Sequence, residues 1–390
     1  MGCVFEWGSP LKDKIFVKAV LILGAWIALL LSQTAVTSSV KNSKPLPLSP
    51  CQENLMLLKA ENTQGSFGGA PRPLQLIGPP IDPQLVWQDL GRSQVLFELS
   101  PEHPGRGFKI FWARGSEIPH ALKEIGRLRE ITFRQVGEGS GQAYDNDHFD
   151  LHYMHLVAWD KAKGQIAGAY RLGLVKDILE QEGTQGLYSA QLFDYESLLT
   201  PDFVHGAIEF GRSFVLAEYQ RRSVALFALW RGIGSLLVQS PHYKYLMGPV
   251  SISGTFKDQS IASMLEFFSL HFSHPLAHEV RAAQPFHPSR PLSTQVRGRL
   301  AAAQGDFKVL DQLLGKLEGV EGRHSPPLLK IYADIGARML GQNLDQEFNS
   351  VDIMILVPLA EQGHQVLKGY LGDQGAQSYL DYHQRQGPGN

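Results

Sequence analysis

The chain has 390 residues, 43% of them hydrophobic and 19% charged, an ordinary globular balance that fits one large domain or two small ones. A formal net charge of -2 argues against broad nucleic-acid binding, which runs on an excess of Lys and Arg. The two cysteines, Cys3 and Cys51, stand ahead of the region expected to fold, so a disulfide framework, a cysteine zinc site and a cysteine nucleophile are excluded there, and the 14 scattered histidines lack H-E-x-x-H spacing, so no metal is expected.

Residues 1–36 carry an unbroken apolar run, Ala19 to Leu31, behind Lys12, Lys14 and Lys18. That run is short against the ~20 residues of a spanning helix. Its readings are an uncleaved anchor, a cleaved signal or an extension of the reading frame. The anchor reading implies membrane association, with the domain on the cytoplasmic side. Residues 37–105 are rich in Pro, Gly and Ser and read as a linker. The folded domain is expected over 106–375, followed by a tail over 376–390.

Within the domain, Phe108 to Ala113 reads as a strand and Ile118 to Val136 as a helix with Pro119 in its first turn. Asp150 to Trp159 and Gly164 to Leu174 form a hairpin, Phe193 to Leu198 is mixed, and Ala207 to Val215 is a strand. Arg222 to Gln239 is a helix with a wide apolar face. Tyr245 to Ser253 is a strand and Ile261 to Phe272 a helix. Val296 to Leu317 carries at least one helix, Pro326 to Leu340 another, and Val351 to Val357 is a closing strand. This order predicts an α+β fold, with a mixed sheet flanked by helices.

The words that carry chemistry lie in this frame. Arg127 to Arg134 precedes an Asp-rich turn, Tyr144 to Asp150. Gly168-Ala169-Tyr170-Arg171-Leu172 gives G-x-x-R-L, and Glu209-Phe210-Gly211-Arg212-Ser213 gives E-x-G-R-S. Leu229-Trp230-Arg231-Gly232-Ile233 and Ser251-Ile252-Ser253-Gly254 follow, with Pro326 to Tyr332 and Phe348 to Asp352 near the end. In this order, over residues 108–358, they resemble the GNAT superfamily, and more narrowly its hemolysin-like N-acyltransferases of the lyso-ornithine lipid type. The set Arg129, Phe133, Asp145, Asp150, Arg171, Glu209 and Arg212 is also similar to the pattern of acyl-homoserine lactone synthases.

The resemblance implies a mostly antiparallel GNAT-like sheet with a C-terminal extension. It implies transfer of a long-chain acyl group, with or without a 3-hydroxyl, from an acyl carrier protein thioester to the amino group of ornithine or another amino acid, forming a lyso-aminolipid. The implied partners are acyl carrier protein, the amino acid and membrane lipid, without a bound cofactor. One departure concerns the donor. The GNAT pyrophosphate loop, Q/R-x-x-G-x-G/A, corresponds here to Tyr219 to Ala225, which lacks the glycines. This weakens coenzyme A and favours an acidic carrier protein steered by Arg221 and Arg222.

Aminolysis of a thioester needs a deprotonated amine, donors for the oxyanion and near-attack geometry. Glu209 is the expected base, its alternative being a strand-end carboxylate paired with Arg171 or Arg212. Arg212, three residues on, faces away from Glu209 unless a bulge at Gly211 intervenes. Arg171 is expected to clamp the acceptor's carboxylate, or else to be a solvated strand arginine. Asp145 and Asp150 are candidates to bind the amine, while Asp147 reads as turn chemistry. Ser251 and Ser253 share a strand face and are candidate donors to substrate. Phe267, Phe268, Phe272 and Trp230 read as core or as an acyl tunnel that Pro326 to Leu329 covers. His155 and Asp160 match H-x-x-x-x-D, but five residues apart on a strand they face opposite ways, so they are not read as a catalytic pair. The competing functions are an acyl-homoserine lactone synthase and a membrane-tethered GNAT-like module without catalysis.

Overall fold

The computed structural model describes residues 74–99, 107–220, 224–320 and 322–386. Helix α1 (Pro83–Leu90) leads into β1 (Gln94–Glu98), β2 (Phe108–Arg114) and α2 (Pro119–Arg134). The hairpin β3 (Met154–Asp160) and β4 (Gln165–Leu174) follows, then α3 (Val175–Glu182), the short β5 (Phe193–Asp194) and α4 (Pro201–Gly206). Next come β6 (Ala207–Val215), α5 (Ala217–Gln220), α6 (Val224–Gln239), β7 (Tyr245–Ser253) and α7 (Asp258–His271). The chain continues with β8 (Arg281–Ala282), α8 (Thr294–Ala301), α9 (Phe307–Glu318) and α10 (Pro327–Asp334), and ends with β9 (Arg338–Asp345), β10 (Ser350–Pro358), α11 (His364–Leu371) and α12 (Asp373–Gln386).

Eight strands form one sheet in the order β1-β2-β3-β4-β6-β7-β10-β9, antiparallel except for the parallel pair β6 and β7. Strand alternation sends Ile110, Leu156, Leu172, Ile208, Leu246 and Ile353 to one face, where α6 and α7 bury them in the main core. The other face is divided. Under α2, Phe111, Val157 and Ala169 pack with Leu122 and Ile125. At the far end, Met247, Met354 and Leu356 pack with Phe193 and Tyr195. Between these two apolar patches runs a polar strip that includes Arg171, Glu209 and Asp352.

The β6–β7 ladder is short. Only Ala207, Ile208 and Glu209 pair, with Tyr245, Leu246 and Met247, although each strand runs nine residues. Gly248 still lies so close to β6 that a Cβ there would meet the Phe210 carbonyl oxygen at 2.1 Å. Beyond it the ladder stops. On its other side, β6 takes a bulge against β4: Arg171 faces Gly211, but Ala169 faces Phe214, which leaves an extra residue on β6.

Three expectations are corrected here. The segment read as a linker over 37–105 is folded over 83–98. Pro83 opens α1, Trp87 packs edge-on against Phe111 at 5.8 Å, and Asp89 accepts from the free amides of His120 and Ala121 at the start of α2 (2.6 and 3.0 Å). The tail expected from residue 376 is mostly α12, where Tyr379 is buried and its hydroxyl donates to the Tyr243 carbonyl at 2.8 Å. The helix expected from Pro326 to Leu340 ends at Asp334, because Gly336 takes a left-handed φ of 87°, and Arg338 opens the edge strand β9. A fourth correction concerns the membrane. No helix among the described residues is long and apolar enough to cross one, and the N-terminal run behind the anchored reading lies outside the described residues. The expected membrane association finds no support among the described residues.

The C-terminal helices dock through a close backbone contact. A Cβ on Gly234 of α6 would lie 2.1 Å from the Tyr370 carbonyl oxygen. Backbone cannot yield as a flexible side chain does. Gly234→Ala is therefore expected to lose about 1–3 kcal/mol by overpacking, despite the ~1 kcal/mol that alanine gains in a helix. Urea denaturation checks this; unchanged or greater stability would show that the helices are not docked as described.

Candidate active site

The polar strip is organised by buried ion pairs. Arg129 of α2 donates to both oxygens of Asp150, at 3.0 and 2.6 Å, in a two-pronged pair. Arg171 of β4 reaches the same carboxylate at 3.2 Å and Asp147 at 2.6 Å. Asp147 and Asp150 also accept from each other's amides, at 3.1 and 3.0 Å, across the turn His148–Leu151. Burial would raise the Asp150 pKa, but the charges of Arg129 and Arg171 outweigh it and hold the carboxyl well below its ordinary range. Asp145 lies 3.5 Å from both Arg129 Nε and Arg212 Nη1, extending the chain of charges to β6.

This arrangement corrects four expectations. Arg129, Asp145, Asp150 and Arg171 are buried, and their charged groups face one another rather than the cleft described below. Arg171 lies over the rings of Tyr153 and Tyr188, at 5.1 and 5.3 Å, and clamps a protein carboxylate, not a substrate's. His155 donates from Nε2 to the Asp150 carbonyl at 2.9 Å, and burial lowers its pKa to about 4. Asp160 accepts instead from the Tyr219 hydroxyl at 2.8 Å, so these two residues serve different partners.

Glu209 is also placed away from the cleft. It sits 2% exposed and opposite Gly173, whose missing side chain leaves room for the Tyr153 ring. Its carboxylate accepts from the Tyr153 hydroxyl and from the amides of Ser189 (2.6 Å) and Tyr188 (3.2 Å). Burial, and then the charge of Glu209, raise the Tyr153 pKa well above its ordinary value. Three donors hold the carboxylate, and Glu209 is not among the residues that line the cleft described below. Glu209 thus pins the turn Tyr188–Gln191, and the expectation that it is the base is corrected.

The cleft opens where β6 and β7 part, with a volume of about 140 Å³. One wall is polar, with Arg212, Glu138, Asp345, Asp352 and Ser251, and the other is apolar, with Phe210, Val250, Leu328 and Tyr332. The bulge puts Arg212 at φ 45°, a left-handed conformation that strains a non-glycine residue and turns its side chain into the cleft. There its guanidinium lies over the ring of Phe348 (4.3 Å) and near that of Tyr188 (5.4 Å). Ser251 donates to Asp352 at 2.7 Å, and Ser350 to the same oxygen at 3.3 Å. Asp345 accepts from the amides of Glu347 and Phe348, at 2.8 and 3.0 Å.

Of the expected site residues, Phe133, Arg212 and Ser251 line this cleft. Ser253 does not. Its hydroxyl donates to the Val136 carbonyl at 3.2 Å and so holds the turn that presents Glu138. Phe267 and Phe268 are closed inside the main core, which removes them from the acyl-tunnel reading, whereas Leu328 of the Pro326–Leu329 segment borders the cleft. Arg221 and Arg222 lie outside the described residues.

Sequence reading missed Glu138, Asp345 and Asp352. Burial pushes Asp352 up to about 6, with the charge of Asp345 adding to the shift and the Ser251 hydrogen bond opposing it. Glu138 is half-buried. Burial and then the charge of Asp352 push it up to about 7, against Arg212. Asp352 left a faint sign in the sequence, since Ser350 and Asp352 are alternate polar residues in a strand otherwise apolar to Val357. Glu138 left none in its glycine-rich turn.

A family profile described as acetyltransferase (GNAT) domain matches residues 128–231. A glycine N(alpha)-acyltransferase of Bacteroides thetaiotaomicron is 31% identical over 260 residues, covering 63% of this chain and 75% of that protein. The chain belongs to the GNAT-superfamily N-acyltransferases. A glycine N(alpha)-acyltransferase of Phocaeicola vulgatus is 29% identical over 292 residues, 70% of this chain and 85% of that protein. An L-ornithine N(alpha)-acyltransferase of Rhizobium meliloti is 28% identical over 260 residues, 64% and 78% respectively. No solved structure matches significantly. In this N-acyltransferase the profile match holds the buried charge network and Arg212, but Ser251, Leu328, Asp345 and Asp352 lie beyond it.

Asp150→Asn would remove the carboxylate shared by Arg129 and Arg171, leaving Arg171 only Asp147 and Arg129 only the more distant Asp145. The loss expected is about 3–5 kcal/mol in urea unfolding. The sign with pH follows from the depressed pKa. Wild-type stability from this group is present above its ordinary 3.8 and lost as pH falls below it, so Asp150→Asn flattens the acid side of the stability–pH curve. A variant as stable as wild type, with the same acid limb, would contradict the network's role.

Proposed function

We propose that the chain transfers a long-chain fatty acyl group, with or without a 3-hydroxyl, from an acyl carrier protein thioester to the α-amino group of an amino acid. The product is an N-acyl amino acid of the lyso-aminolipid class. The observation that carries this reading is the two-sided cleft at the parting of β6 and β7. Its polar wall suits an amino acid and its apolar wall suits the start of an alkyl chain. Arg212, the cationic residue of the lining, is the natural partner of the acceptor's carboxylate, and the carboxylates are natural partners of its ammonium.

Charge favours an acceptor with a second cationic group. Three carboxylates, Glu138, Asp345 and Asp352, stand against one guanidinium in the lining. Ornithine brings a side-chain ammonium to offset that excess. Glycine is the second reading, supported by the cleft's small volume and by the relatives named for glycine. For the donor, the glycine-free run Tyr219 to Ala225 offers a poor grip on the pyrophosphate of coenzyme A. Arg221 and Arg222 in that run suit the acidic surface of a carrier protein.

The test is reaction of purified enzyme with acyl carrier protein or coenzyme A thioesters of several chain lengths, with ornithine and glycine in competition. Mass spectrometry of the products is the readout. N-acylornithine formed mainly from the carrier-protein thioester is expected. A predominant N-acylglycine would select the second acceptor reading, preference for coenzyme A would overturn the donor, and no acylated amino acid would overturn the whole proposal.

A further inference from the structure

We infer that Glu138 is the catalytic base of this transfer, taking the proton from the acceptor's ammonium while Asp352 beside it holds that nitrogen in place. The inference rests on the acyl-transfer reading and assigns its proton-accepting group. A base needs an open lone pair facing the substrate. Asp352 has one oxygen, Oδ1, held by Ser251 and Ser350, and Asp345 has Oδ1 held by two amides; Asp145 lies against two guanidiniums and Glu209 accepts from three donors, whereas Glu138 alone among them has both oxygens open. The Glu138 carboxylate lines the cleft and has no hydrogen bond or ion pair among the described residues.

The local fold presents it there. Gly137 takes a left-handed φ of 80° just past α2, the Glu138 amide donates to the Phe133 carbonyl at 3.0 Å, and Ser253 grips the Val136 carbonyl. The turn is thus fixed to both α2 and β7. The charged groups acting on Glu138 are Asp352 of β10 and Arg212 of β6. Its pKa near 7 leaves the carboxylate poised to take and release a proton near neutrality.

The step balances. One ammonium proton passes to the Glu138 carboxylate and frees the nitrogen lone pair. The nitrogen attacks the thioester carbonyl, the C–N bond forms and the carbonyl π pair moves onto oxygen. That pair then returns, the C–S bond breaks and its electrons leave on sulfur. A second nitrogen proton goes to the thiolate and the third stays on the amide. Glu138 releases its proton to solvent after the product departs.

The test is a set of kcat and kcat/KM profiles over roughly pH 5 to 9 for wild type, Glu138→Gln, Glu138→Asp and Glu209→Gln, with thermal unfolding of each. Wild type should show an acid limb near the raised Glu138 value. Glu138→Gln should lose about 10²-fold or more in kcat, lose that limb, and keep its melting temperature, since no partner is lost. Glu138→Asp should restore part of the rate together with the limb. Glu209→Gln should melt earlier yet keep the limb while folded. An active wild type with Glu138→Gln equally active, or a limb that vanishes in Glu209→Gln instead, would overturn the assignment while leaving the acyl-transfer reading intact. A wild type that makes no acylated amino acid would contradict both.

Discussion

One carboxylate, Asp150, held between the guanidiniums of Arg129 and Arg171, fixes the polar half of this molecule. Three charges that are 1–2% exposed carry a large desolvation cost, and they are tolerable because they pair and hydrogen-bond with one another and with Asp147 and Asp145. The pair ties α2 to the turn before β3, and Arg171 ties that turn to β4. Removing Asp150 takes from both guanidiniums the carboxylate they share. Through Asp145 the same network reaches Arg212, the member that enters the cleft.

The second constraint is the early end of the β6–β7 ladder. Two parallel neighbours pair for three residues and then part, while β7 goes on pairing with β10 and β6 with β4. The bulge and the strained backbone of Arg212 lie just past the parting point. Strain held at such a place is consistent with use, because an ordinary strand would turn the arginine elsewhere. The cleft is therefore assembled from segments far apart in the chain: Phe133 and Glu138, Phe210 to Ser213, Pro249 to Ser251, and Leu328 to Asp352.

Much of the frame could be read from the sequence. The bounds of β6 and β7 coincide with Ala207 to Val215 and Tyr245 to Ser253, because their apolar alternation is strong and turns flank them. Strand β9, with the sequence RMLGQNLD, escaped because an edge strand carries polar residues and this one lacks β-branched side chains. Helix α1 hid in a Pro-rich stretch where Pro83 starts a helix instead of preventing one. The site was harder. Spacing placed Glu209, Arg171 and Asp150 in the right neighbourhood but could not show that their partners are protein groups. Glu138 depends on a turn fixed by Ser253, more than a hundred residues away, which no local pattern reveals.

The most direct test of where the chemistry occurs is a crystal structure with an N-acyl amino acid product bound. The amide nitrogen should lie beside Glu138 and Asp352, with the amino acid's carboxylate on Arg212 and the alkyl chain leaving past Leu328 and Tyr332. A product bound elsewhere, such as in the larger open depression lined by Arg114, His148 and Gln185, or with its nitrogen against Glu209, would contradict the account.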